Sequence, residues 1–210
     1  MKKVFVLLAI VGSIGANAQS GRYLPAMQRA LIGFDTTKTS AGLIALSSTF
    51  ERIGNAEKSQ WLPYYYAALT TVQNGFASNN SEQDAIADAA LKLINKADSI
   101  APNNSEVLVV RAMANTLKMV VNPMQRFMSY GKIIEIDVQA AMQADPSNPR
   151  SYLFKGQSLK NTPPQFGGGC ERALPLLQTA LEKFATFKPT DALAPTWGKN
   201  EVKGLIESCK

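Results

Sequence analysis

Histidine is absent from all 210 residues of this chain, and only two cysteines are present. Histidine is the commonest general base and the commonest transition-metal ligand in proteins. Two cysteines cannot supply the four ligands of a structural zinc site. Catalytic arrangements that pair serine or cysteine with histidine are also impossible here. We therefore expect no enzymatic activity, no bound metal and no cofactor.

Clustered basic residues and long apolar runs are also missing beyond the N-terminus. The net charge is +6, but the lysines and arginines are spread along the chain. Nucleic-acid-binding proteins instead concentrate basic residues on one face or stripe. A membrane-spanning helix needs about 20 consecutive, mostly apolar residues, and no later segment has them. We expect no nucleic-acid partner and no membrane span after the N-terminal segment.

The first 18 residues have the three parts of a secretory signal peptide. Lys2 and Lys3 form the positive region, residues 4–14 are an apolar run, and Ala-Asn-Ala at 16–18 is a small-x-small cleavage site. A membrane anchor is the alternative, but the apolar run is too short to span a bilayer. We expect cleavage after Ala18, export to the periplasm or out of the cell, and one mature domain at 19–210.

Most of the mature sequence has the periodicity of amphipathic helices. Apolar residues recur three and four positions apart, as at Ala85, Ala89, Leu93 and Ala97. This stripe ends before Pro102, because proline cannot continue a helical hydrogen-bond ladder. The alternation typical of β-strands is absent. The sequence predicts an all-α fold.

Prolines that end predicted helices recur at a nearly constant interval. Pro102, Pro146 and Pro189 are 44 and then 43 residues apart. Ten residues after each of the first two prolines comes a small residue, Ala112 or Gly156. A repeat of this length is typical of stacked helix pairs.

The repeated pattern, Ala-x3-apolar-x2-Ala-x4-Pro, resembles the tetratricopeptide repeat (TPR) over residues 61–187. The family repeats every 34 residues, so about ten extra residues lie between the helices of each pair here. The resemblance implies a TPR-like α-solenoid, a right-handed superhelical array of antiparallel helix pairs. We expect pairs near 22–56, 60–100, 105–144 and 150–187, and a C-terminal capping helix at 198–209.

The resemblance also implies a groove, because the first helix of each TPR pair lines the inner face of the array. Carried over by spacing, these groove residues are Tyr65, Leu69, Glu106, Val109, Met113, Arg150, Leu153 and Gln157. The first hypothesis is an exported scaffold that binds a protein or peptide partner. The alternative is a periplasmic small-molecule-binding component that accompanies a substrate-uptake transporter. An open groove favours the first, and a closed cavity lined by aromatic residues favours the second.

The two cysteines lie at the ends of consecutive predicted helices. If these helices run antiparallel, Cys170 and Cys209 fall at the same end of the pair. Disulfides persist in the oxidising compartments to which a signal peptide leads. Two free thiols or a redox pair are the alternatives, but Cys-x-x-Cys is absent. We expect a disulfide that holds the capping helix.

A glycine run at 167–169 precedes the helix predicted to begin at Cys170. Backbone N–H groups in such a loop could hold a phosphate at a helix N-terminus. The Lys-Ser/Thr of a phosphate-binding loop is missing, however, and Cys170-Glu171 stands in its place. We expect a connection between two paired helices.

Overall fold

A computed structural model describes residues 21–37 and 39–209, so the predicted signal peptide at 1–18 lies outside the described residues. This part of the chain contains nine α-helices and no β-strand. Its helices are α1 (Tyr23–Thr36), α2 (Ser40–Ala56), α3 (Leu62–Ala77), α4 (Asn80–Ile100), α5 (Ser105–Val121), α6 (Pro123–Ala144), α7 (Pro149–Asn161), α8 (Cys170–Thr186) and α9 (Lys199–Glu207). None of these helices combines the length and the apolar character that crossing a membrane requires.

Asparagine side chains cap three consecutive helices, α5, α6 and α7. Asn104, Asn122 and Asn148 each accept a hydrogen bond from a backbone N–H in the first turn of the following helix. The distance from the Arg150 N–H nitrogen to Asn148 Oδ1 is 2.9 Å. Such caps pair N–H groups that have no partner within the helix. Pro149 occupies the first position of α7, where its missing N–H costs no helical bond.

Small residues permit close approach between the helices. A Cβ atom added at Gly156 of α7 would lie 2.7 Å from Leu177 Cδ2 of α8, well inside van der Waals contact. Ala112 of α5 is completely buried. The helices pack against their neighbours along the chain, α3 being buried on all sides over residues 62–70. Burial of apolar area is the main force that stabilises this stack.

The segment between α8 and α9, residues 187–198, packs back against the earlier helices, and we call it the covering segment. The Leu193 side chain is buried among the tyrosines of α3, and the Tyr66 hydroxyl donates to the Leu193 carbonyl at 2.9 Å. Trp197 contacts all three large apolar clusters of the core. The covering segment thus connects helices that are distant in sequence.

A disulfide joins Cys170, the first residue of α8, to Cys209, just beyond the end of α9. The two Cα atoms are 5.4 Å apart and the residues are 39 positions apart in sequence. The closed loop contains α8, the covering segment and α9. The disulfide therefore restrains the entire C-terminal end of the described chain.

The glycine run connects α7 to α8 through a short 3-10 turn at Pro164–Phe166. Its glycine N–H groups already have backbone partners: Gly167 donates to the Pro164 carbonyl in the loop, and Gly169 donates to the Leu159 carbonyl of α7 at 2.8 Å. Gly167 and Gly169 have positive φ angles of 85° and 95°, which non-glycine residues rarely adopt. The loop is a tight connection, and its paired N–H groups leave no phosphate cradle.

Candidate functional site

The groove residues lie close together, but most of them are inaccessible to solvent. Tyr65, Leu69, Val109 and Arg150 are completely buried, and Leu153 is 1% exposed. Gly198 of the covering segment lies against Leu153, so closely that an added Cβ would be 2.9 Å from Leu153 Cδ2. Met113, Gln157 and the Glu106 side chain retain partial exposure only.

A buried polar cluster occupies the centre of this region. Arg150 forms an ion pair with Glu106 at 2.8 Å, and the Tyr65 hydroxyl donates to the other Glu106 carboxylate oxygen at 3.0 Å. Trp197 Nε1 donates to the Tyr65 hydroxyl oxygen at 2.8 Å, and Arg150 also donates to the Pro195 carbonyl. Burial raises the pKa of the Glu106 carboxyl, while the Arg150 charge opposes that rise.

The groove residues are thus largely closed to solvent by the covering segment, and their role as a partner groove stays a prediction. The covering segment supplies Trp197 and the Pro195 carbonyl as partners, so the groove residues bind part of their own chain. Burying these polar groups is favourable only because each finds a hydrogen-bond partner there. A protein or peptide could reach this surface only after the covering segment had moved away.

A pocket with a volume of about 440 Å³ lies instead between α1 and α2. Three arginines contribute to its lining: Arg22, which directly precedes α1, Arg29 from α1, and Arg52 from α2. All three are exposed, and no ion pair involves them within residues 21–37 and 39–209. The apolar part of the lining consists mainly of Ala26, Ala30, Leu46, Ile53 and Ala56. The pocket thus combines a mainly apolar lining with three cations and one carboxylate, that of Glu57.

Tyr23 is the most unusual residue of the pocket. It is 2% exposed, and its hydroxyl has no hydrogen-bond partner among the residues that the structure describes. Tyr23 also lines an adjoining cavity of about 370 Å³ between α1 and the covering segment. Burial raises its pKa far above the usual value, and the charges of Asp191 and Glu57 add to the rise. Asp191 lines the smaller cavity and Glu57 the larger, so a carboxylate from each cavity acts on Tyr23.

A local signal for this pocket is present in the sequence, although the repeat pattern does not reveal it. Arg22 and Arg29 are seven residues apart, which places them on one face of a helix two turns apart. Ala26 lies between them on the same face, so the α1 sequence alone predicts a small apolar strip flanked by cations. The contribution of Arg52 depends on how α1 and α2 pack, and no local pattern indicates it.

A second exposed feature, which we call the α6 apolar surface, consists of Met124, Phe127, Met128 and Phe166. Their exposed fractions are 89%, 42%, 83% and 63%, which is unusual for such large apolar side chains. The three α6 residues share one helix face by their spacing of three and four. The Phe127 ring lies 6.4 Å from the Phe166 ring, which the connection between α7 and α8 supplies.

Neither location brings together the ligands of a metal site. Over the described ranges, no group of three or more Cys, Asp or Glu residues is placed to hold a metal ion. The two cysteines are joined in the disulfide. The chemistry that the pocket offers is the binding of an apolar molecule with a negative charge at its edge.

A solved structure that is similar to this chain over nearly its whole length is that of a haemophore. The HusA haemophore from Porphyromonas gingivalis superposes with a TM-score of 0.82 and is 33% identical in sequence. The match covers 91% of this chain and 94% of the haemophore chain. No protein-family model matches the sequence, and no curated protein does.

Proposed function

This chain belongs to the family of the HusA haemophore, and from that premise we propose that it is an exported carrier of haem or a related porphyrin. The first candidate for the bound partner is now a small molecule, where the sequence alone favoured a protein or peptide. It keeps one element of the sequence-based alternative, a helical protein of the cell exterior that binds a small molecule for uptake.

The observation that carries the proposal is the α1–α2 pocket. A porphyrin is a flat apolar ring with carboxylates on one edge, and the pocket pairs an apolar floor with Arg22, Arg29 and Arg52. Its volume of about 440 Å³ falls within the range of roughly 300–1,000 Å³ that is usual for ligand pockets. The arginine side chains would hold the carboxylates through charge-assisted hydrogen bonds, with the ring over the alanines.

The residues of the pocket favour binding through the porphyrin ring over binding through its iron. Histidine is absent from the sequence, and both cysteines are in the disulfide. Tyr23 is the pocket-lining residue of a type that ligates haem iron elsewhere. Iron ligation requires the phenolate, and burial raises the pKa of Tyr23 and so disfavours that form. We expect the Kd of iron-free protoporphyrin IX to lie within about threefold of the Kd of haem. The difference in binding free energy is then smaller than the 1.4 kcal/mol that corresponds to a tenfold change in Kd.

Absorbance and fluorescence titrations of the mature chain with haem and protoporphyrin IX test the proposal. Ala26→Phe places a ring in the pocket and is expected to weaken binding at least tenfold. Arg29→Ala removes a charge-assisted hydrogen bond and is expected to weaken it about tenfold. Lys132→Ala removes an exposed cation from α6 and serves as the matched control.

Two outcomes would contradict the proposal. Absence of saturable porphyrin binding by the folded wild-type chain would remove the function itself. Binding that survives Ala26→Phe and Arg29→Ala, but is lost with Met128→Lys, would place the porphyrin on the α6 apolar surface instead.

The α6 apolar surface supports a second candidate function, the binding of a protein or peptide partner. Contiguous exposed apolar side chains on a protein of this size commonly mark an interaction surface. A photo-cross-linker at Gln125, beside Met124, should capture a specific envelope protein in intact cells, and Met128→Lys should abolish that product. A product that persists with Met128→Lys would count against this surface.

Two further expectations remain part of the proposal. We infer that the helix pairs form a right-handed superhelical array of the TPR type, with α9 as its cap. We also infer that the chain is a binding protein and not an enzyme. An experimental structure with bound porphyrin would test the first, and recovery of unaltered porphyrin after prolonged incubation would test the second.

A further inference from the structure

Two methionines of the α6 apolar surface, Met124 and Met128, are exposed to an unusual degree. Their exposed fractions are 89% and 83%, and neither belongs to an apolar core cluster of the described chain. Helix formation does not require methionine at these positions, because glutamine and lysine have similar helix propensities. The property that sets these two residues apart is therefore the chemistry of an accessible thioether, more than any contribution to the stability of α6.

The other methionines that the structure describes are sheltered from solvent. Met27 is completely buried in the core. Three more are partly buried and pack against the core clusters: Met113, Met119 and Met142. The oxidation of a side-chain sulfur by a dissolved oxidant follows its exposure. An oxidant in solution should therefore reach Met124 and Met128 first.

We propose that Met124 and Met128 form a reversible oxidation site, at which hydrogen peroxide turns the α6 apolar surface polar while the protein stays folded. The sulfur lone pair attacks one peroxide oxygen, so that an S–O bond forms as the O–O bond breaks. The sulfur loses two electrons, and the departing hydroxide takes the proton of the transferred oxygen and leaves as water. The product, methionine sulfoxide, is polar, and methionine sulfoxide reductases convert it back to the thioether.

The position of these residues separates an effect on the surface from an effect on the fold. A sulfoxide disrupts packing when it forms in a core, but at Met124 and Met128 the new polar group stays in water. The two residues are four positions apart, so both oxidations change the same face of α6. The regulatory consequence rests on the second candidate function: oxidation would weaken the binding of a protein or peptide to this face.

Peroxide treatment of the folded wild-type chain tests the proposal. Peptide mass spectrometry measures the sulfoxide at each methionine, and hydrophobic-interaction chromatography measures how apolar the surface is. We expect Met124 and Met128 to react on the order of tenfold faster than the three partly buried methionines, and Met27 to react most slowly. Retention on the column should shorten, the Tm should change by less than about 2 °C, and sulfoxide reductases should restore the retention.

Two variants show which sulfurs cause the change. The double variant Met124→Leu with Met128→Leu keeps the surface apolar and cannot form sulfoxides there, so peroxide should leave its retention unchanged. Leucine is close to methionine in volume, which makes the exchange well tolerated. Met142→Leu removes a partly buried thioether of the same helix and is the matched control. Its retention should shorten with peroxide as that of the wild-type chain does.

Three results would overturn the inference. These are oxidation of Met124 and Met128 no faster than that of the partly buried methionines, an equal loss of retention in the double leucine variant, and unfolding of the oxidised chain. None of these measurements needs a partner, so they decide the inference even if a photo-cross-linker at Gln125 captures nothing. That last result would remove the second candidate function alone. Where Gln125 does capture a protein, capture undiminished by oxidation would overturn the regulatory role.

Discussion

Removal of the Cys170–Cys209 disulfide changes the free energy of unfolding by an amount that follows directly from the structure. The bond closes a loop between residues 39 positions apart that contains α8, the covering segment and α9. Reduction leaves the contacts of the folded chain in place but frees the unfolded chain to adopt many more conformations. The expected loss of stability therefore follows from the loop length.

For a loop of 39 residues, the chain-entropy relation gives a loss of about 4 kcal/mol in the free energy of unfolding. A domain of this size changes its Tm by about 2–4 °C per kcal/mol, so Tm should fall by about 8–16 °C. The denaturant dependence of the free energy should rise slightly, because the reduced unfolded chain exposes more surface.

Urea unfolding followed by circular dichroism at 222 nm measures this loss. Three samples are compared: the oxidised wild-type chain, the same chain under reductant, and the double variant Cys170→Ser with Cys209→Ser. The reduced wild-type chain and the double variant should agree within about 0.5 kcal/mol, since distant surface substitutions usually change stability by no more than that. Hydrogen exchange of the α9 amides shows whether the capping helix stays folded without its covalent link.

A loss of less than about 1 kcal/mol would refute this reasoning, because the closed loop would then contribute far less than its length predicts. Selective loss of amide protection in α9, with the other helices unchanged, would show that the bond mainly holds α9 in the folded state. The packing of Val202 against the α8 residues, where it is completely buried, argues against that second result.

Two further substitutions test the packing of the C-terminal half. Gly156→Ala places a Cβ 2.7 Å from Leu177 Cδ2, and we expect a loss of about 1–3 kcal/mol in urea unfolding. Arg150→Met leaves the Glu106 carboxylate buried without its cationic partner, and we expect a loss of about 3–5 kcal/mol at pH 7. Because Arg150 lowers the Glu106 pKa, its removal raises that pKa further above the usual value of 4.5. The folded variant then holds a proton that the unfolded chain releases, so its stability should fall as pH rises above 4.5 and the deficit should shrink below it.

The all-α class was predictable because its determinants are local. The periodicity of apolar residues indicates helices, and the Pro and Asn residues near positions 102–104 and 146–149 indicate where they end and begin. The structure has helix boundaries at both places. Such signals act over one or two helical turns, so a single sequence contains them in full.

The groove and the pocket could not be predicted in the same way. The burial of Arg150 and Tyr65 depends on contacts with Pro195 and Trp197, which are 45 and 132 residues away from them in sequence. A spacing rule taken from an open repeat array places Arg150 on an inner helix face but takes no account of the segment that covers it. A fully buried arginine is rare, so the residue type does not predict this burial either.

The two ends of the helix array differ in structure. At the C-terminal end, α9 packs on α8 and the disulfide fixes it there. In the α1–α2 pair, three exposed guanidinium groups surround one apolar pocket. Like charges that lie near one another repel, even where solvent screens them. The apolar lining is not stabilised by burial while water fills the pocket. Under the proposed function, an anionic, flat, apolar ligand would bring negative charge to the arginines and cover the apolar lining at once.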